Sequence, residues 1–229
     1  MKITVITGTE IRGITYRLKN LFVEALGSGH DITEFYLPKD MPHFCCGCKN
    51  CFFKSEHLCP HANSVMPIWE SIKAADLIVF ATPVYALRVP GQVKALLDHW
   101  CCHWAVHRPD PDLFDKKAVI LTNSIGAPNG ATQKDIATSL SWLCIPHIRK
   151  LGVGLMEGVI WDELSAKRRE RIAKRIRKLA ARYRTPTRAR RTLKIRFIWG
   201  ICKSMHKGIA KNENPLSADN QYWKDKGWI

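Results

Sequence analysis

The 229-residue chain is 46% hydrophobic and carries 36 Lys and Arg against 20 Asp and Glu, a formal net charge of +16. This composition excludes collagen, coiled-coil and wholly disordered chains, and the length predicts either one large domain or one domain with an extension. No window approaches the ~20 consecutive apolar residues that a membrane span requires. The opening sequence, MKITVITGTE, predicts a β-strand and not a signal peptide, so we expect a cytoplasmic protein.

Strand and helix patterns alternate along the first two thirds of the chain. Short apolar runs predict strands, and apolar residues at helical spacing predict the helices between them. Five strands alternating with helices predict a doubly wound α/β domain with a five-stranded parallel sheet over residues 1–161. The predicted strands are Lys2 to Thr7, Asp31 to Leu37, Asp76 to Ala81, Lys117 to Thr122 and Leu151 to Leu155, and the predicted helices are Thr15 to Leu26, Val65 to Ala74, Gly91 to Trp104 and Thr132 to Leu143.

Basic charge is concentrated after this domain. Lys167 to Lys211 contains 18 Lys and Arg and a single acid, so the rest of the chain is nearly neutral. Two amphipathic helices, Glu163 to Tyr183 and Leu193 to Met205, predict a basic helical extension over residues 162–229. We interpret this extension as packing on the sheet. The alternatives are peripheral contact with an anionic membrane and docking of an acidic redox partner. Nucleic acid is not favoured, because no known binding module accompanies the charge.

The first loop, Thr7 to Tyr16, joins the first strand to the first helix and reads T-G-T-E-I-R-G-I-T-Y. Its hydroxyls, its guanidinium and the free N–H groups of a helix start can bind a phosphate. The loop matches neither G-x-G-x-x-G nor a Walker motif, so it indicates no dinucleotide or nucleoside triphosphate site of those types. The alternative is an ordinary loop in which Thr15 caps the helix.

Two further loops complete a resemblance to a known family. The second loop contains T-P-V-Y (Thr82 to Tyr85) and is followed by P-G-Q-V-K-A-L-L-D-H, and the third loop contains T-N-S-I-G-A (Thr122 to Ala127). Together with the first loop, these motifs resemble the flavodoxin-like NADPH-dependent FMN reductases, over about Met1 to Trp161. The resemblance implies a sheet of order 2-1-3-4-5, bound FMN, NAD(P)H as co-substrate, and a homodimer or tetramer.

The resemblance also implies which residues contact FMN. The first loop would hold the phosphate, the second would lie along the isoalloxazine, and the third would close its other side. The first loop departs from the family pattern, G-S-x-R, because it is one residue shorter and contains Glu10. No side chain is indicated as catalytic. In loop order, the implied residues are Thr9, Arg12, Gly13, Thr15 and Tyr16; Pro83, Val84, Tyr85 and Ala86; and Asn123, Ser124, Ile125, Gly126 and Ala127.

Five of the nine cysteines lie between residues 45 and 59. Cys45, Cys48, Cys51 and Cys59 have the spacing C-x2-C-x2-C-x7-C, with Cys46 as a spare. Three thiolates two residues apart suit a [4Fe-4S] cluster, whereas zinc usually takes two separate C-x2-C pairs. Reduced thiols without a metal are the third interpretation. The segment resembles the iron-sulfur flavoprotein branch of the family.

Other reactive side chains are assigned structural roles. His99, His103 and His107 are spaced to line one helical face, which we expect near a subunit interface beside the flavin. A metal site is not favoured there, because no carboxylate partner is evident. Aromatic residues near the end of the chain, Tyr222, Trp223 and Trp228, are predicted to pack on the body or on a second subunit. The small buried cysteines are predicted to be Cys101, Cys102, Cys144 and Cys202.

The functional hypothesis is an FMN-dependent oxidoreductase. It would accept hydride from NAD(P)H, or electrons from a ferredoxin-like donor, and reduce a quinone, free flavin or another small acceptor. A non-enzymatic electron carrier between protein partners is the alternative. A binding protein acting through the basic extension is a third class.

Overall fold

A computed structural model describes residues 1–155 and 160–229, so residues 156–159 of the predicted first domain lie outside the described residues. The five strands form one parallel sheet of order 2-1-3-4-5, which confirms the predicted doubly wound α/β fold. The strands are β1 (Lys2–Thr7), β2 (Asp31–Tyr36), β3 (Leu77–Pro83), β4 (Lys117–Ile125) and β5 (His147–Leu155).

Eight α-helices accompany the sheet in the described parts of the chain. None of these helices is long and apolar enough to cross a membrane. They are α1 (Ile14–Leu26), α2 (Asn50–Phe53), α3 (Ala62–Ala74), α4 (Gly91–His99), α5 (Gly130–Trp142), α6 (Ala166–Ala180), α7 (Leu193–Ile209) and α8 (Ala218–Asp225).

Helices cover both faces of the sheet. The continuous apolar runs of β3 and β4 are buried on both sides, as parallel strands between two helical layers must be. One layer buries Trp69, Phe80 and Trp100 together with apolar residues of α3, α4 and α5. The opposite layer buries Phe22 of α1 against Ile176 of α6. The sheet thereby holds its strand ends, and the loops that follow them, in fixed positions.

The last two helices build a third apolar cluster. Trp223 of α8 is fully buried, and its indole Nε1 donates to the His107 carbonyl at 2.6 Å. Tyr222 donates to the Pro109 carbonyl at 2.8 Å. Trp228 packs against the same cluster, so the C-terminal aromatic residues pack on the body of this chain.

Several predicted elements have different ends in the structure, and the changes in α4 and β5 are the ones that move candidate residues. Helix α4 stops at His99, and residues Trp100–His103 form a 3₁₀ turn that Trp104 leaves in an extended conformation. The predicted helical row of histidines is therefore wrong. Strand β5 begins at His147 and not at Leu151, because residues His147 to Lys150 pair with Lys117 to Ile120 of β4, although Arg149 and Lys150 are exposed at this edge of the sheet.

Candidate functional site

Backbone hydrogen bonds join the three predicted loops at the carboxyl edge of the sheet. The Gly8 amide donates to the Ala81 carbonyl at 2.8 Å, and the Val84 amide donates to the Asn123 carbonyl at 2.7 Å. Gln92 of α4 donates to the Gly8 carbonyl at 2.8 Å. The first, second and third loops are therefore direct neighbours.

Gly8 brings the first loop very close to β3. A Cβ atom at this position would lie 2.3 Å from Thr82 Oγ1 and 2.5 Å from a methyl group of Val93. Atoms cannot approach this closely, so any larger residue would push the first loop away from the second.

Helix α1 begins without a side-chain cap. Its N-cap residue is Gly13, and Thr15 is a buried residue inside the helix, so the alternative in which Thr15 caps the helix is wrong. Buried Thr9 accepts the Ile11 amide at 3.2 Å, which shapes the first loop. A helix start whose N–H groups have no capping side chain is suited to an anion.

Tyr16 and Arg12 line an open cavity beside this helix start. The cavity measures about 350 Å³ and also contacts Gly13 and Trp161. The Arg12 guanidinium carbon is 5.7 Å from the centre of the Tyr16 ring. Arg12 is exposed, so its cation is accessible at the cavity.

Tyr16 packs against a network of Lys19, Glu34 and Tyr36 that the sequence analysis did not predict. The Lys19 ammonium lies 2.8 Å from a Glu34 carboxylate oxygen on β2 and 4.4 Å from the centre of the Tyr16 ring. Tyr36 donates to the same carboxylate, and burial together with Glu34 raises the pKa of this phenol. The sequence does contain a signal for this network. Lys19 stands beside Leu18 on the buried side of α1, and a buried cation requires a partner of opposite charge.

The second loop contains a strained turn. Tyr85 and Arg88 exchange backbone hydrogen bonds of 3.1 and 2.9 Å, and Ala86 and Leu87 between them have φ of +46° and +63°. Residues with a side chain adopt this left-handed region only at a cost. Arg88 binds Asp135 of α5 through two guanidinium nitrogens, at 2.6 and 3.0 Å, which holds the turn against α5.

The third loop contains an unsatisfied polar group. Asn123 Oδ1 is buried without a hydrogen-bond partner among the described residues. Ser124 Oγ donates to the Ala127 carbonyl and accepts from Asn129 at 3.0 Å, while Gly126 at φ +71° turns the chain away from β4. Buried acceptors are nearly always paired, so Asn123 is suited to accept a hydrogen bond from a ligand.

The cysteine segment forms a second, narrower site. A cavity of about 60 Å³ is lined by all four predicted ligands and by His61, His99 and His103. Cys45 and Cys48 are exposed, whereas Cys51 and Cys59 are half-buried. The segment begins near the second loop, since the Phe44 ring lies 4.0 Å from where a Cβ on Gly91 would be. The four predicted ligands are thus brought together.

Two cysteines outside the segment reach it from the 3₁₀ turn after α4. Cys102 is buried and donates to the His99 carbonyl at 3.8 Å, and its thiol, aided by the Arg108 cation, lowers the pKa of Cys51 to about 6. Cys101 is half-buried, so the prediction that it is a buried residue is wrong. Desolvation raises the pKa of Cys101, with smaller effects from the Asp98 carboxylate and from Cys51 and Cys45. The sequence gives no signal for these contacts beyond the C-C pair itself.

One cysteine also belongs to a cluster of imidazoles. Among the described residues, Cys59, His61 and His99 are the one group of three such ligand atoms within 4.8 Å of one another. His61 Nδ1 lies 3.0 Å from His99 Nε2, and His99 Nδ1 lies 2.7 Å from the Ala95 carbonyl. Burial, helped by His43 and His99, lowers the pKa of His61, so that its neutral form is favoured.

Sequence comparison identifies the family. The model of the NADPH-dependent FMN reductase family matches residues 1–155. The chain belongs to this family. Membership confirms the predicted FMN-dependent NAD(P)H oxidoreductase.

Individual relatives extend this finding. An iron-sulfur flavoprotein of Archaeoglobus fulgidus is 22% identical over 206 residues, which cover 90% of this chain and 89% of that protein. An FMN-dependent NADH-azoreductase of Bacillus anthracis, solved in complex with FMN, superposes with a TM-score of 0.62 at 11% identity, covering 81% of this chain and 100% of that one. An NAD(P)H:quinone oxidoreductase of Methanothermobacter marburgensis superposes with a TM-score of 0.54 at 20% identity. The match covers 78% of this chain and 94% of that one. These likenesses between structures support the flavodoxin-like fold.

Proposed function

We propose that this FMN reductase binds its cofactor across the three loops. The uncapped start of α1 and the hydroxyl and guanidinium groups of the first loop would hold the phosphate. The second and third loops would contact the ring. The proposed contacts are Thr9, Arg12, Gly13, Thr15 and Tyr16 for the phosphate, Pro83, Val84, Tyr85 and Ala86 along the ring, and Asn123, Ser124, Ile125, Gly126 and Ala127 on its other side.

The unsatisfied Asn123 oxygen is the observation that carries this assignment. It is buried at the carboxyl end of β4. The backbone carbonyl of the same residue accepts a hydrogen bond from the Val84 amide of the second loop. A flavin presents N–H groups that would satisfy this oxygen, and pairing a buried acceptor avoids a cost of about 1–3 kcal/mol. FMN, when bound, supplies hydride acceptance from NAD(P)H and delivery of electrons to an acceptor.

The acceptor is proposed to be a small apolar molecule of the quinone class. Tyr85, Leu87 and Ile125 are large apolar side chains that stay 46%, 61% and 66% exposed on the second and third loops. They provide an apolar surface beside the proposed ring position. The relative from Methanothermobacter marburgensis is named as a quinone oxidoreductase, which supports the same class.

Flavin binding is tested by titrating the cofactor-free protein with FMN and following flavin fluorescence. Arg12→Gln should weaken binding about tenfold, because a charge-assisted hydrogen bond contributes roughly 1.5–3 kcal/mol. Arg190→Gln is the matched control, since Arg190 is an exposed arginine next to Ala189, whose amide donates to the Asp115 carbonyl ahead of β4, at the opposite edge of the sheet. Equal affinities of the two variants would place the phosphate elsewhere.

We further propose that Cys45, Cys48, Cys51 and Cys59 hold a [4Fe-4S] cluster. The four cysteines line one cavity, and a relative along 90% of the chain is named as an iron-sulfur flavoprotein. A cluster exchanges one electron at a time, so these thiolates would connect the flavin to a one-electron donor of the ferredoxin class.

A single zinc ion is the competing occupant. Cys59, His61 and His99 are close enough to share one ion. However, the two histidines already share a hydrogen bond, and the set includes only one of the four spaced cysteines. Zinc sites built for structure normally use four protein ligands, so the four-cysteine cluster is favoured.

Metal content distinguishes these occupants. Protein purified without oxygen should contain about four irons and acid-labile sulfide, with a broad iron-sulfur absorbance beneath the flavin bands. Cys48→Ser should lose this signal, whereas Cys46→Ser in the same exposed segment should retain it. Stoichiometric zinc without sulfide would contradict the cluster, and thiols without metal would leave a plain FMN reductase.

Turnover separates the reductase from a carrier. Steady-state NAD(P)H oxidation with a soluble quinone should proceed in the wild-type protein. Rapid reduction by a ferredoxin without quinone turnover would instead support a non-enzymatic electron carrier. A homodimer or tetramer is part of the proposal and is tested by sedimentation velocity.

A further inference from the structure

Helix α7 exposes a continuous apolar stripe. Leu193, Phe197, Ile201, Met205 and Ile209 follow one another at i, i+4 spacing and are 83%, 69%, 52%, 36% and 48% exposed. Single exposed apolar residues are common on protein surfaces, but a row of five along one helix is not. The apolar stripe, as these five residues are called here, therefore requires an explanation beyond chance exposure.

The opposite side of α7 is firmly attached to the body. Ile195, Cys202 and His206 are buried in the third apolar cluster and against its neighbours. His206 Nδ1 lies 2.6 Å from Asn220 Oδ1 of α8, and His206 Nε2 lies 3.2 Å from the Val106 carbonyl. The helix already buries one apolar face, so the apolar stripe is a second face that the rest of the described chain leaves uncovered.

A row of cations accompanies the apolar stripe. Arg196, Lys203 and Lys207 are exposed, and their spacing of seven and four residues places them on one line along the helix, beside the stripe. Helix α7 contains no acidic residue to neutralise them. The solvent-facing half of α7 thus combines an apolar sector with an adjoining basic sector.

We propose that this face of α7 binds the surface of an anionic lipid bilayer. Helices that lie in the plane of a membrane interface insert apolar side chains between the lipids and place lysine and arginine against anionic headgroups. At 1.5 Å per residue, the 17 residues of α7 extend roughly 25 Å, which suits a helix lying along the surface. Each side chain on this face matches one component of the lipid surface.

Two other occupants are less compatible with the charges. In a pair of α7 helices from two copies of this chain, the basic rows would approach each other, and like charges at short range are unfavourable. An acidic protein would pair with the cations, but it would also need an exposed apolar groove to cover five side chains. An anionic membrane supplies both components in one surface.

The test uses the full-length holoprotein and sedimentation with lipid vesicles. Vesicles of phosphatidylcholine with about 30 mol% phosphatidylglycerol should retain the protein, and vesicles of phosphatidylcholine alone should retain little of it. Phe197→Ser/Ile201→Ser should reduce retention at least tenfold, since both side chains are exposed and no core contact is lost. Arg196→Gln/Lys203→Gln/Lys207→Gln should reduce it about a hundredfold, because each surface cation contributes roughly fivefold.

A matched variant controls for net charge. Arg171→Gln/Lys174→Gln/Lys178→Gln removes three exposed cations from α6, away from the apolar stripe, and should retain most of the binding. Equal loss in the two triple variants would overturn the proposal in favour of unspecific attraction. Retention unaffected by the two serines would overturn it as well. If sedimentation velocity shows that the serine variant lowers the mass of the assembly, a second copy covers the stripe and the membrane proposal is wrong.

Discussion

Arg108 and Asp219 form an ion pair, with Nη1 3.1 Å from Oδ1, that joins the loop after α4 to the C-terminal helix α8. The same guanidinium donates to the carbonyl groups of Cys51 and Phe52, the latter at 3.0 Å. The arginine side chain is only 9% exposed. Arg108 therefore connects helix α8 to the segment that carries the third proposed cluster ligand, Cys51.

Breaking this ion pair should destabilise the protein. Arg108→Gln should lower the free energy of unfolding in urea by about 3 kcal/mol, because it leaves Oδ1 of the half-buried Asp219 carboxylate and two carbonyl groups without their donor, while Oδ2 keeps its contact with His107. Arg188→Gln is the control. That arginine is 91% exposed and pairs with Asp115 at 3.4 Å, so its loss should cost less than about 0.5 kcal/mol. Equal effects of the two variants would contradict the role assigned to Arg108.

Asp219→Asn tests the same connection from the other side. It should also increase the accessibility of Cys51, measured as the rate of alkylation in metal-free protein, because Arg108 would no longer be held between α8 and α2. Asp225→Asn, on the exposed side of the same helix, should leave that rate unchanged.

Buried His103 should make stability fall in mild acid. Its ring stacks on Trp69 with 3.8 Å between centres, and desolvation lowers its pKa to about 4. The unfolded chain, with an ordinary histidine pKa near 6.5, then binds more protons than the folded protein between these values. Stability is fully present above about pH 6.5 and is lost as the pH falls towards 4, by about 2 kcal/mol at pH 5.

His103→Phe should remove this contribution while it keeps the stacking on Trp69. The measurement is urea unfolding of both proteins at pH 7.5 and at pH 5. The difference between the two pH values should shrink by about 2 kcal/mol in the variant. If the difference in unfolding free energy between pH 7.5 and pH 5 is the same in the variant and the wild type, His103 has the same pKa in the folded and the unfolded protein.

Cys51 should be the most reactive thiol near neutral pH in metal-free, reduced protein. Its pKa is lowered to about 6 by Cys102 and Arg108, whereas burial raises the pKa of Cys59 and raises that of Cys144 to about 12. Since the thiolate is the nucleophile, alkylation of Cys51 by iodoacetamide should rise between pH 5 and 7. Cys102→Ala should move this rise to higher pH, and an unmoved profile would contradict the influence of Cys102 on the pKa of Cys51.

The sheet was predictable because its signals are local. Within DLIVFA and KAVILT, Leu77 to Ala81 and Ala118 to Leu121 are continuous apolar runs, which are typical of strands buried on both faces, and these segments form β3 and β4. The end of α4 was not predictable, because the helical spacing of His99 and His103 continues through Trp100–His103, where the backbone tightens into a 3₁₀ turn. Side-chain periodicity carries no information about that change.

The adjacency of the predicted loops could be anticipated from the motifs that follow the strands. The T-P-V-Y and T-N-S-I-G-A loops adjoin one another because the strands that precede them are paired. Arg108 lies in no motif, and its partners Cys51 and Asp219 are 57 and 111 residues away, so only the folded chain brings them together. Lys19 was partly predictable. A lysine on an apolar helix face indicates that a partner of opposite charge lies nearby, but the sequence does not show that this partner is Glu34.

Arg88 should affect cofactor binding more than stability. Its side chain is 67% exposed, so the ion pair with Asp135 contributes little to folding, but it holds Ala86 and Leu87 in a left-handed turn. In Arg88→Gln the second loop must be ordered when FMN binds, at a cost of roughly 1 kcal/mol, and the FMN affinity should fall about fivefold. Lys94→Gln, which removes an exposed ion pair within α4, should leave the affinity unchanged. Fluorescence titration of both variants decides the point: equal affinities would show that the turn is held by its own backbone hydrogen bonds and not by Arg88.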